Sequence, residues 1–240
     1  MSTVPSSAML LAAGLGKRMR PLTDNMPKPL IVVAGKPLLD WGLDALEQAG
    51  VERAIVNVHY FGGQIVDHLR HRQKPAVFIS DESVELLDSA GGIVRALPVL
   101  GEEPFFVVNA DTFWIDCGRS NLERLALAWD GARMDILLML AHPDSATGHS
   151  GSTDFLADDA GLLSRARGAP GGLIYAGAAI LHPRIFAGAA VGPASLNLYF
   201  DRAIAAGRLF GMKMEGHWLT VGTPDAIPAA EAAVARIKGQ

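Results

Sequence analysis

The residues best equipped for chemistry lie in Leu11-Ala12-Ala13-Gly14-Leu15-Gly16-Lys17-Arg18-Met19-Arg20-Pro21-Leu22-Thr23, directly after a short apolar run. Glycines in such a loop let backbone N–H groups approach an anionic oxygen closely. Backbone amides alone leave most of a triphosphate's charge unbalanced, and Lys17, Arg18 and Arg20 supply cations. The loop is not a dinucleotide fingerprint: Gly14-x-Gly16 lacks the third glycine, and Met19 stands where it would fall. Farther on, Pro27-Lys28-Pro29 restrains the backbone on both sides of one lysine, presenting its ammonium as a point charge.

A second group, Asn109-Ala110-Asp111, follows the apolar run 105–108. Asp111 is the metal candidate, because Mg²⁺ is a hard cation that keeps several waters and needs few protein carboxylates. Taken alone, an aspartate after a strand is a turn former as often as a ligand. Asp88-Ser89-Ala90-Gly91-Gly92-Ile93 precedes a helix, and its small residues either admit a flat ring or form a Ser-capped tight turn. Glu82, in Ser80-Asp81-Glu82, is either an acceptor for the imide N–H of uracil or part of a solvated acidic loop.

These groups need a frame. Short apolar runs alternate with longer amphipathic ones, the pattern of βαβ units feeding a mainly parallel sheet. The expected strands are 8–13, 53–58, 76–80, 105–109 and 135–140, with helices at 37–49, 63–70, 92–97 and 120–130 between them. Beyond residue 141 the order changes to a hairpin at 154–165, a strand at 173–181, a helix at 196–206, strands at 209–214 and 217–221, and a closing helix at 224–238. The fold class is therefore α/β, a Rossmann-like, mainly parallel mixed sheet flanked by helices. One domain is expected over residues 1–240, with a nucleotide-binding lobe at 8–140 and an acceptor-binding lobe at 141–240.

Composition narrows the partners. The 21 Lys+Arg against 25 Asp+Glu give a formal charge of -4 without a basic arm, which argues against nucleic acid. A single cysteine, Cys117, excludes an internal disulfide, suits a reducing compartment, and reads as a small buried hydrophobe. The apolar stretch 9–13 is too short to span a bilayer and has no basic segment before it, so no export signal or membrane anchor is expected and a cytoplasmic location is. Residues 1–7 read as a disordered lead-in.

The form G-x-G-x-R-M-x-P-L-T followed by P-K-P-L, carried by residues 14–23 and 27–30, resembles the signature of the sugar-1-phosphate nucleotidyltransferases. The resemblance implies a GT-A-like nucleotidyltransferase fold, Mg²⁺ as cofactor, and an NTP and a sugar 1-phosphate as partners. It implies that Arg18 holds the β- and γ-phosphates and that Lys28 neutralises the α-phosphate and the incoming sugar phosphate. It places Asp111 on the metal, Asn109 on the acceptor sugar, and the backbone of Ser89, Ala90 and Gly91 along the nucleobase. Asp154, Tyr175 and Gly177 resemble the acceptor-binding strands, where a carboxylate holds hydroxyls and a glycine lets the ring lie on backbone. Seen alone, Asp154 is a solvated hairpin residue and Tyr175 a core aromatic. Ser195-Leu196-Asn197 and His217-Trp218 extend the likeness toward small bacterial uridylyltransferases of cell-wall recycling, implying UTP and N-acetylmuramate 1-phosphate. Mannose-1-phosphate guanylyltransferases share the loop signature. One position departs from it: where relatives carry W-x-D-V-G-T and a second metal carboxylate, this chain has Thr220, so a non-catalytic nucleotide-sugar sensor is a third reading.

Overall fold

The computed structural model describes residues 4–239. The expected lead-in falls partly outside them; within them, Ser7 is a buried strand residue whose hydroxyl donates to the Leu100 carbonyl at 3.0 Å. In chain order the strands are β1 (Ser7–Leu11), β2 (Val32–Val33), β3 (Lys36–Pro37), β4 (Arg53–Val58), β5 (Ala76–Asp81), β6 (Phe105–Asn109) and β7 (Thr112–Ile115). They continue as β8 (Ile136–Ala141), β9 (Ala146–Thr147), β10 (Phe155–Ala157), β11 (Leu163–Arg165), β12 (Ile174–Leu181), β13 (Leu209–Lys213) and β14 (His217–Thr220). The helices are α1 (Leu38–Gln48), α2 (Gly62–Leu69), α3 (Asp88–Leu100), α4 (Asn121–Ala128), α5 (Leu196–Ala205) and α6 (Ala226–Lys238).

Seven strands form the central sheet in the order β13-β8-β12-β6-β1-β4-β5. Every pairing is parallel except those of β12, which runs against both β6 and β8. The α/β class with a mainly parallel sheet is as expected. Each face is covered, which is why the strands read as near-continuous apolar runs. In β1, Ala8 and Leu10 pack with Leu39 and Leu43 of α1, while Met9 points the other way onto Ile93 of α3. Fully burying each such large side chain stabilises the fold by roughly 1.5–3 kcal/mol.

The sheet order creates a crevice. From β1 the chain steps outward to β4 and β5, then crosses back to place β6 on the other side of β1. Leu11 and Asn109, at the carboxyl ends of β1 and β6, are register partners. Ligands of open α/β sheets bind where the strand order reverses in this way. A third apolar cluster lies beside it: Met19, Phe113, Leu219, Val221 and Ala230 pack α6 against β7, β14 and the loop after β1.

Two local expectations are corrected. Helix α3 begins at Asp88, so Ser89, Ala90 and Gly91 form its first turn instead of a loop before it, and Ser89 is not the cap. The glycines there serve close packing, since a Cβ on Gly91 would lie 2.1 Å from the Gly192 carbonyl oxygen. Cys117 is exposed in the turn after β7, not buried. No helix among the described residues is long and apolar enough to cross a membrane.

Candidate active site

Three adjoining compartments run along the carboxyl edge of the sheet. The central one, about 410 Å³, is walled by Leu11, Ala12, Ala13 and Gly14 from the first loop and by Asn109, Ala110 and Asp111 after β6. A second, about 210 Å³, is lined by Gly16, Lys17, Arg18 and Gly222, and shares Gly14, Lys28 and Asp111 with the first. A third, about 250 Å³, holds Asp154, Arg165 and Tyr175 and shares Ser89 and Asn109 with the central one.

Lys28 and Asp111 mark the junction of the first two. The Lys28 ammonium donates to Asp111 Oδ2 at 2.7 Å, and Lys28 is 9% exposed. Pro27, Lys28 and Pro29 are all buried, so the restrained segment fixes the lysine from below. Gly16 is the other half of that device. Its φ of 61° is left-handed, and a Cβ there would sit 3.0 Å from both Lys28 Cβ and Thr23 Cγ2. Its carbonyl accepts from the Met19 N–H at 2.8 Å and the Thr23 hydroxyl at 2.9 Å. Met19 is fully buried, so one side chain anchors the loop while Lys17 and Arg18 just before it stay exposed. Gly222 leaves the Arg18 guanidinium room, with 3.8 Å from its would-be Cβ to the nearest guanidinium nitrogens.

Glu82 does not face the cavity. It is fully buried, its Oε1 accepting from Asn57 Nδ2 at 2.7 Å and its Oε2 from the Leu87 N–H at 3.0 Å. Asn57 Oδ1 in turn accepts the Ala12 N–H at 2.7 Å, so this buried relay braces the first loop. Gly92 belongs to it, because a Cβ there would lie 2.6 Å from Glu82 Oε1. Besides Asp111, the carboxylate that lines the central compartment is Asp88, held at φ 59° at the start of α3.

Ser89 lines both the central and third compartments, its hydroxyl accepting from the Leu196 N–H at 2.9 Å. Ala90 and Gly91 line neither; their N–H groups donate to the Ala194 carbonyl at 2.8 and 3.1 Å. Asp154 Oδ2 accepts from the Tyr175 N–H at 2.8 Å, which leaves Oδ1 for a ligand. The Tyr175 hydroxyl is shielded from solvent with no hydrogen-bond partner among the described residues, and burial, then the Asp154 charge, pushes its pKa well up. Gly177, at φ 77° in the bulge of β12, lines no compartment: a Cβ there would lie 2.3 Å from Thr112 Oγ1. Its missing side chain makes room for Thr112 and for Asn109, whose Cβ and Nδ2 would be 3.2 Å from that Cβ.

Residues 8–206 match the family model for the MobA-like NTP transferase domain. The chain belongs to the MobA-like NTP transferase family. It is 46% identical to an N-acetylmuramate alpha-1-phosphate uridylyltransferase of Caulobacter vibrioides over 98% of this chain and 99% of the relative. A protein of the same description from Neisseria meningitidis serogroup B is 38% identical, over 94% and 96% of the two chains. Among solved structures, the inositol-1-phosphate CTP transferase of T. maritima superposes with a TM-score of 0.77 at 18% identity, covering 99% of this chain and 98% of its own. That last likeness speaks to the fold alone.

In this MobA-like NTP transferase, a single carboxylate meets the condition for a magnesium that is otherwise coordinated by phosphates and water. Asp111 could supply that carboxylate: its side chain is 41% exposed at the edge shared by two compartments, with Oδ1 accepting no hydrogen bond among the described residues. Thr220 ends β14 opposite Thr112, and the next N–H, of Val221, donates to the Asp111 carbonyl at 3.3 Å. It stands beside Asp111 without walling either compartment. His217 lies at the far end of β14, paired with Ile115 and bonded to Thr147 Oγ1 at 2.8 Å.

Sequence reasoning gave no site role of their own to Asn57, Asp88, Arg165 and Gly222. An asparagine inside the apolar run of β4 was the one visible signal, since a buried amide needs partners.

Proposed function

We propose that the chain transfers UMP from UTP to N-acetylmuramate 1-phosphate and releases pyrophosphate, as a step in peptidoglycan recycling. The observation that carries this reading is the Lys28–Asp111 pair, 2.7 Å apart where the Arg18 compartment opens onto the central one. A phosphorus atom seated there would have the cations of the Arg18 compartment on one side, while the central compartment leads on to the third through Ser89 and Asn109. The full-length likeness to two uridylyltransferases supports the choice of base and sugar.

A phosphate oxygen of the sugar 1-phosphate attacks the α-phosphorus in line. The bond from that phosphorus to the bridging oxygen breaks, and pyrophosphate departs with the electron pair. Lys17 and Arg18 hold the oxygens on which charge builds, a contribution that grows toward the transition state. Lys28 keeps two ammonium protons beyond the one given to Asp111, enough to bridge the α-phosphate and the acceptor phosphate and hold their repelling charges together. No side chain need take a proton, because the attacking phosphate is already ionised near neutral pH. A magnesium on Asp111 would add charge neutralisation at the phosphates. Asn109 and Ser89, on the wall between compartments, orient the sugar against the nucleotide.

Pyrophosphate release measured for each NTP against a panel of sugar 1-phosphates tests the proposal. The highest kcat/KM is expected with UTP and N-acetylmuramate 1-phosphate. A higher value with GTP and mannose 1-phosphate would replace it with the guanylyltransferase reading, and nucleotide binding without turnover would make the chain a sensor.

A further inference from the structure

The third compartment carries a cation that a neutral sugar does not need. Arg165, on β11, is the sole cationic side chain on its wall among the described residues. The phosphates are served elsewhere, by Lys28, Lys17 and Arg18, none of which lines this compartment. Arg165 is also held in one pose. Its Nε donates to Asp201 Oδ1 at 2.8 Å and its Nη2 to Asn197 Oδ1 at 3.0 Å, while the guanidinium lies over the Phe155 ring, 4.8 Å from the centroid. Nη1 makes no hydrogen bond among the described residues. Asp201 is 61% exposed, so it orients the guanidinium while water screens its charge. The carboxylate on the same wall, Asp154, already receives the Tyr175 N–H and keeps an acceptor oxygen for sugar hydroxyls.

We infer that Arg165 selects acceptors whose sugar carries a carboxylate over the same sugars without one. With Nε and Nη2 held by α5, the Nη1 N–H groups of a guanidinium fixed by packing are left to donate to a carboxylate, and an aromatic ring beneath them lowers the dielectric around the contact. The inference deepens the acceptor reading above and rests on it, because N-acetylmuramate differs from N-acetylglucosamine by a lactyl ether that ends in a carboxylate. Arg165 would touch that group on the acceptor, remote from the reacting phosphorus, so its effect belongs in KM.

The test is steady-state kinetics with UTP and either N-acetylmuramate 1-phosphate or N-acetylglucosamine 1-phosphate, for wild type, Arg165→Gln and Arg165→Lys, with melting curves for each. Arg165→Gln is expected to raise KM for the muramate by about 10- to 100-fold, the loss of one charged hydrogen-bonded contact, and to leave the glucosamine value within about threefold. Arg165→Lys keeps the charge and loses the fixed, planar Nη1 donor, so an intermediate rise for the muramate alone is expected. If Arg165→Gln fails to fold, the lysine variant carries the test. Equal losses for both acceptors, or an unchanged preference in either folded variant, would make Arg165 only a strap between the β10–β11 hairpin and α5 and overturn the inference. A wild-type protein that does not prefer the muramate would instead overturn the acceptor reading, before any variant is made.

Discussion

Replacing Gly16 by alanine separates what a glycine does for the backbone from what it does for Lys28. At φ 61°, alanine is in the left-handed region, which costs roughly 1–2 kcal/mol. The new Cβ would also stand 3.0 Å from Lys28 Cβ and Thr23 Cγ2, and overpacking of this kind adds roughly 1–3 kcal/mol. Gly35 supplies the control. It has φ 77° in the β2–β3 turn and nothing within 4 Å of its would-be Cβ, so Gly35→Ala incurs only the backbone cost. The steric difference of roughly 1–3 kcal/mol should lower the melting temperature of Gly16→Ala below that of Gly35→Ala by about 2–12 °C, taking 2–4 °C per kcal/mol for a chain of this size. Lys28 must give way by several tenths of an ångström. Since a misplacement of about 1 Å costs on the order of 100-fold in rate, a loss of about tenfold in kcat/KM is expected for Gly16→Ala, with Gly35→Ala near wild type. Differential scanning fluorimetry and pyrophosphate-release kinetics on the two variants read both quantities. A kcat/KM for Gly16→Ala within about twofold of Gly35→Ala would refute the argument that this contact sets the position of Lys28.

Three further outcomes are expected. Arg18→Ala, at an exposed position outside every apolar cluster, should keep its melting temperature and lose on the order of 10²- to 10³-fold in kcat, and near-normal turnover would remove Arg18 from the phosphate site. In titration calorimetry, wild type should take up magnesium tightly only with UTP present, Asp111→Asn should lose that uptake, and Thr220→Asp should bind the ion without nucleotide; low-micromolar binding to nucleotide-free wild type would reveal a ligand other than Asp111. Asp135 has its pKa lowered: burial acts the other way, but hydrogen bonds from Arg208 and Arg184 outweigh it. A depressed carboxylate stabilises above its unfolded value of about 3.9 and loses that contribution as pH falls through the folded value. Asp135→Asn should therefore melt below wild type at pH 7, with the gap closing below about pH 4, and a pH-independent gap would count against the ion pairs.

The main strands were legible because both faces of the sheet are covered, which turns each strand into an apolar run bounded by polar turns. Helix α3 started earlier than expected because Asp88, Gly91 and Gly92 have weak helical preference; Gly192 and Glu82 press on that turn, a demand that arises only from long-range packing. Glu82 misled for a related reason. Its neighbours Asp81 and Ser83 are exposed, and local polarity gives no hint that the one residue between them is fully buried on Asn57. The glycine loop after β1, Lys28 and Asp111, which line the candidate site, were legible since each sits at a strand end or between prolines, where local chemistry and position coincide. Arg165 was not, because its partners Asp201 and Asn197 are distant in sequence.

The reversal of β12 also governs the order in which the sheet can be completed during synthesis. Strand β8 emerges about thirty residues before β12, yet its sheet neighbours are β12 and β13 alone. A nascent chain that ends near residue 170 thus holds two exposed ladders, the free edge of β6 and the whole of β8, waiting for one strand to be threaded between them. Unpaired edges of this kind are where growing chains associate wrongly. Ribosomal pausing or truncation in the interval between β8 and β12 should be the moment of greatest aggregation, and pairing of β12 then joins β6 to β8 and closes both ladders at once.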